Sequence, residues 1–190
     1  MTRYLLPLLL LLGGCAGDPA QEFYQLPPAA AAQAQPDQGT AVLLGPLQLA
    51  DYLQRENIVQ RHSEQRLHLS ANQRWAGSLQ DDIGRLLLST LGNRLHSGNL
   101  ALYPDRIGFA AQAQIILHIA RLDSGPQQPA VLEARWRLLD AQGVQRAEQL
   151  TQLRENHDGS LDSQVAAQGR LIERLGRQLA EAVQTLPTGN

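Results

Sequence analysis

The chain contains no lysine, and all 16 of its basic residues are arginine. Alanine, leucine, glutamine and glycine are abundant as well, so codon usage explains the bias and no function is drawn from it. Cysteine is almost absent too: Cys15 stands alone, which excludes an internal disulfide. The apolar run Leu5–Leu12 is far shorter than the roughly 20 residues of a membrane-spanning helix. Charge of one sign is lacking, with a net value of -2, which argues against a general nucleic-acid binder. Catalytic signatures are missing as well: there is no Gly-x-Ser-x-Gly elbow, no phosphate-cradling glycine loop and no His-Glu-x-x-His. The histidines, at 62, 68, 96, 118 and 157, form no i, i+4 pair. His118 reads as a satisfied core or outward strand residue rather than a ligand. Asp81 and Asp82 are neighbours whose side chains point apart on a helix, and capping explains them better than acid–base chemistry. The expectation is a protein that is not an enzyme, with no cofactor and no metal site.

What is present begins with Cys15. One positive charge at Arg3, an apolar stretch and then Leu12-Gly13-Gly14-Cys15 form the pattern of a lipoprotein signal. Cleavage after residue 14 leaves Cys15 as the N-terminus, carrying a covalent diacylglycerol and an acyl chain such as palmitate. Each buried methylene contributes about 0.8 kcal/mol, and two or more chains give stable membrane residence. The alternative is an ordinary signal peptide cut elsewhere, but an exported protein would then carry an odd free thiol. The residue after Cys15 is Ala16 rather than an aspartate, which favours the outer membrane, although Asp18 lies close by.

The rest of the chain is long enough for one domain with a real core. Residues 15–40 hold the acylated terminus, a short aromatic segment, Phe23-Tyr24-Gln25-Leu26, that reads as an edge strand shortening the tether, and an Ala/Gln/Pro-rich linker or loop. Residues 41–187 form the domain. Ala41–Leu49 reads as a strand broken by Gly45-Pro46, with Pro46 pointing to an edge or a bulge. Ile58–His62 and Leu67–Leu69 are short strand candidates. Ser78 and Asp81 resemble a capping box ahead of Leu79, Ile83, Leu86, Leu87, Leu91 and Leu95 at helical spacing. Ala113–Leu122, Val131–Leu139 and Val144–Leu153 are three strand-like runs, the last two joined by a hairpin at Asp140-Ala141-Gln142-Gly143. Leu132, Ala134, Trp136 and Leu138 share one face, with Arg135 and Arg137 on the other. A second helix from about Ser160 to Leu186 carries Leu161, Val165, Gln168, Ile172, Leu175, Leu179 and Val183 inward, with Asp158 or Ser160 as its cap. The fold class is α+β: a mainly antiparallel or mixed sheet with two long helices packed on it, in a single domain.

With chemistry excluded, surfaces remain. The segment from Pro46 to Arg61 places Tyr52 and Leu53 in a turn, where large side chains either anchor a partner or fold back on the sheet. Trp75, just ahead of the first helix, carries the same two readings, with core packing favoured. Phe23-Tyr24-x-Leu26, the Gly45-Pro46 to Arg61 run, Arg74-Trp75-Ala76 and Ala134-Arg135-Trp136 together resemble the PqiC/YmbA group of ABC-type transport auxiliary lipoproteins. Glu56 and Asn57 stand where that pattern carries a proline-containing pair. The resemblance implies the outer-membrane lipoprotein of an MCE-domain system that moves lipid between membranes. It would receive a periplasm-spanning MCE partner as part of a homo-oligomeric ring, anchored to the membrane by its acyl chains and touching no nucleic acid. Tyr52, Leu53, Arg55 and Arg61 are the expected partner contacts. A rival reading of another class is a periplasmic scaffold or activator lipoprotein docking onto a cell-wall enzyme.

Overall fold

The structure, a computed structural model, describes residues 20–27, 39–105 and 107–186. Cys15 and its signal, most of the Ala/Gln/Pro-rich stretch and the terminal Pro187-Thr188-Gly189 lie outside those residues.

The strongest local signals build the frame. Alternating apolar residues make a long hairpin of β6 (Ala113–Gly125) and β7 (Gln128–Asp140), continued antiparallel by β8 (Gln145–Glu155). Along β7, Ala134, Trp136 and Leu138 are buried while Arg135 and Arg137 face solvent, as the period of two requires. The buried Trp136 indole donates to Thr151 Oγ1 at 3.2 Å, which satisfies its N–H.

The other edge of β6 is shared. Its first part pairs in parallel with β2 (Val42–Leu49), and its end pairs in parallel with β3 (Asn57–Arg61) at Gln60 and Ser124. Outside β2 lies β5 (Leu100–Leu102). Outside β3 lies β4 (Leu67–Trp75), and beyond it β1 (Glu22–Tyr24) forms a parallel edge. The result is a mixed sheet of eight strands. β4 extends well past the short run expected from sequence, and β5 was not foreseen, because three residues carry no readable period.

Pro46 sits in an interior strand, and a bulge accommodates it: the register to β6 shifts between Leu44 and Leu47. Gly45 is required there. Its φ is +118°, and an added Cβ would come within 2.8 Å of Tyr103 Cβ. The Gln114 side-chain amide donates to the freed Gly45 carbonyl at 2.8 Å.

Helices α1 (Leu79–Leu95) and α2 (Leu161–Gln184) lie side by side over one face of the sheet. Ser78 caps α1 by accepting from the Asp81 N–H, and Ser160 caps α2 by accepting from Ser163 N–H. Asp158 supports the second cap, accepting from the Ser160 N–H and hydroxyl at 2.8 and 2.7 Å and from the Ser163 hydroxyl. Those bonds, Ser160's first, hold the Asp158 carboxyl at about 2. The foreseen stripe of α2 is buried from Val165 to Val183, with Leu161 half-buried at its start. Leu87, Leu91, Ile115, Ile119, Leu132 and Leu171 lie at the centre of the core, each 1 % exposed or less.

Candidate docking surface

The segment expected to project a turn does something else. After β2 the chain makes a 3₁₀ turn over Asp51–Leu53, at the point where β2 leaves β6 and β3 takes its place. Leu53 is 4 % exposed and belongs to the core. Tyr52 packs against that core and donates its hydroxyl to Asp123 Oδ2 at 2.9 Å. Arg61 reaches the same carboxylate through two bonds, Nε to Oδ1 at 2.8 Å and Nη2 to Oδ2 at 2.7 Å, and Arg121 Nε adds a third donor group at 2.9 Å. The Asp123 side chain is fully buried. Burial by itself would raise the Asp123 carboxyl, but donors from Arg61, Tyr52 and Arg121 outweigh it and hold the group below the ordinary carboxylate range. Burial, then the Asp123 charge, pushes the Tyr52 phenol up.

Tyr52 and Leu53 therefore fold back on the sheet, and Arg61 is spent on an internal ion pair. Of the four residues expected to meet a partner, Arg55 alone is exposed, and it makes no hydrogen bond or ion pair among the described residues. It rims a groove at the N-terminal end of α1 that is also lined by Phe23, Leu49, Arg74 and Trp75. Trp75 itself is 7 % exposed and packs in the core. Asp123 escaped sequence reading; its only signal was an acid followed by serine at the end of an apolar strand.

A larger surface lies on the sheet face away from the helices. Across β6, β7 and β8 it presents His118, Ala120, Glu133, Arg135, Leu150 and Gln152 around a shallow cleft of about 660 Å³. Half-buried Ile116, with Arg137 and Glu148, lines a second depression beside it. Leu150 is 70 % exposed, the one large apolar side chain on a β8 face otherwise made of Arg146, Glu148, Gln152 and Arg154. Glu133 and Gln152 bond each other at 2.9 Å, and Arg135 lies 3.9 Å from Glu148. Arg135, Arg137, Arg146 and Arg154 outnumber Glu133 and Glu148 there, around an unpaired leucine. The parity of Leu150 against buried Thr151 and Leu153 was the sequence signal for this face. His118 points outward here. His157 orders the lead into α2 instead: Nε2 donates to the Gln128 carbonyl at 2.9 Å and Nδ1 accepts from Gly159 N–H at 3.1 Å.

Among the described residues no group of three His, Cys, Asp or Glu side chains is placed to hold a metal, and no helix is long and apolar enough to cross a membrane. The arrangement offers surfaces for contact: an open sheet face and a groove.

A family model described as "ABC-type transport auxiliary lipoprotein component" matches residues 24–180. No curated protein matches the sequence. Solved structures share the fold, two of them described as follows. An uncharacterized protein superposes with a TM-score of 0.72 at 16 % identity, covering 87 % of this chain and 99 % of its own. A DUF330 protein from Xanthomonas campestris superposes with a TM-score of 0.69 at 13 % identity, covering 85 % and 94 %.

Proposed function

The chain belongs to the family of ABC-type transport auxiliary lipoprotein components, and from that membership we propose that it is the non-catalytic outer-membrane lipoprotein of an MCE/ABC-type system moving lipid between membranes. In this reading the signal peptide, residues 1–14, is removed. Diacylglycerol and an acyl chain on Cys15 then hold the protein at the periplasmic face of the outer membrane. The α+β domain over 41–187, extended by β1, receives the periplasm-spanning MCE partner, and several copies associate in a homo-oligomer.

One observation carries the docking role: helices cover a single face of the sheet, leaving the β6–β7–β8 face open around a Leu150 that is 70 % exposed. A polar rim about an apolar centre is the anatomy of a protein interface. Arg55, free and exposed, is the part of the foreseen contact set still available to a partner. Tyr52, Leu53 and Arg61 support the loop beneath it.

The test is affinity purification of the acylated full-length protein after in-cell crosslinking, with Cys15→Ala and Leu150→Asp beside it. An MCE-domain protein should be recovered with the parent chain and depleted in both variants. Recovery of cell-wall synthases in its place would move the reading to a scaffold lipoprotein. Undiminished recovery with Leu150→Asp would remove the open face from the contact.

A further inference from the structure

We propose that the β1 end of the domain faces the bilayer, and that the lipid interface holding the protein's own acyl chains takes up the exposed ring of Phe23. This rests on acylation of Cys15. The chain enters the folded domain at once: β1 pairs with β4, the Ala76 N–H donates to the Tyr24 carbonyl at 2.7 Å, and Leu26 is 3 % exposed in the core. The whole lead from anchor to domain is therefore the few residues between Cys15 and Glu22. At a maximum of about 3.3–3.6 Å per residue, Ala20 lies within about 18 Å of the anchored cysteine and Phe23 within about 28 Å.

At full stretch that lead is about as long as the domain's second helix. Phe23 sits beside Val165 in the first turns of α2, and Glu181 lies sixteen residues further along the helix, about 24 Å away at 1.5 Å per residue. So short a lead keeps the β1 end near the bilayer, and with Phe23 taken up there the far end of α2 points outward.

At the near end Phe23 is 62 % exposed. It lies between a cleft shared with Pro27 and Val165 and the groove rimmed by Arg55 and Arg74. The charges there lean negative: Arg74 pairs with Glu56 at 3.3 Å, Glu22 accepts from Gln73 and Tyr24, and Asp162 lines the same cleft. The aromatic ring, not net charge, is thus the group that favours lipid. One such ring binds weakly alone, but an anchored chain presents it at an effective concentration of about millimolar or more, where a weak contact is occupied.

The experiment uses the acylated full-length protein in phosphatidylcholine vesicles, with Phe23→Trp and Glu181→Trp as reporters at the two ends of α2. Both positions are exposed, and the native Trp75 and Trp136 are buried, so parent emission can be subtracted. Lipid brominated in its acyl chains should quench the emission added by Phe23→Trp and leave that of Glu181→Trp at full intensity. Flotation with the vesicles and the mass of the N-terminal peptide report the anchor separately. Acylated, floating protein with no quenching at position 23, or equal quenching at both, overturns the orientation while the anchor stands. Protein that neither floats nor carries acyl mass on Cys15 overturns the anchor and the orientation together.

Discussion

Asp123 shows how one side chain decides the use of a whole loop. A fully buried carboxylate is costly unless paired and fully bonded, and here Tyr52, Arg61 and Arg121 supply the donors. They come from the 3₁₀ turn, from β3 and from β6 itself, so the carboxylate ties together the elements that meet where β2 gives way to β3. Asp123→Asn leaves Arg61 facing a neutral group and should cost about 3–5 kcal/mol in urea unfolding at neutral pH. Tyr52→Phe, which removes one hydrogen bond to a charged group, should cost about 1.5–3 kcal/mol. Because folding holds the Asp123 carboxyl below its ordinary value, its contribution is complete above an unfolded-state value of about 4 and is lost as pH falls through the folded-state value. The stability gap between the parent and Asp123→Asn should therefore be widest near pH 7 and narrow steadily below about pH 4. A gap that stayed constant down to pH 2 would show that the carboxylate charge is not what holds the loop.

At the scale of elements, α1 and α2 meet at a glycine. An added Cβ on Gly176 would lie 2.8 Å from Thr90 Cγ2 and 2.9 Å from Thr90 Cβ. The Thr90 rotamer is pinned, since its hydroxyl donates to the Leu86 carbonyl at 2.8 Å. Gly176→Ala gains up to about 1 kcal/mol of helix propensity, but the crowding forces two packed helices apart, at about 1–3 kcal/mol. The expected outcome is a net loss of stability. Gly77→Ala, in the bend ahead of α1 with nothing within 4 Å of the new methyl, should change little, and thermal unfolding of the two variants side by side shows that the loss at position 176 comes from crowding. Ser160→Ala, removing the α2 cap, should cost about 1 kcal/mol.

For the whole molecule, what matters is that the sheet has a covered face and an open one. Burial of α1 and α2 against one face fills the core, and the exposed Leu150 on the other contributes nothing to it. Leu150→Asp should leave unfolding within about 0.5 kcal/mol of the parent, while lowering recovery of the transport partner. Loss of stability together with loss of the partner would mean that the face is structural. With Cys15 acylated as proposed, the anchor would hold the domain by one end, because β1 enters the sheet directly.

Periodicity carried much of this into the sequence. The α2 stripe, the alternation around Trp136, the caps at Ser78 and Ser160 and the break at Gly45-Pro46 depend on neighbours a few positions away, and each is legible because its physics is local. The reading of Cys15 as the lipid attachment site rests on sequence alone. Other features were settled only when distant segments met. Parallel pairing of β2 and β3 with one edge of β6 follows from no local pattern, and β5 is too short to show one. The fate of Tyr52 depended on an aspartate 71 positions further on, and that of Arg61 on the same group. Sequence could offer a turn that either projects or folds back; the desolvated Asp123 carboxylate, demanding donors, chose the second. Leu150 became a candidate site for the complementary reason: both helices pack on the opposite face, and tertiary structure alone determines which side of a sheet is left uncovered.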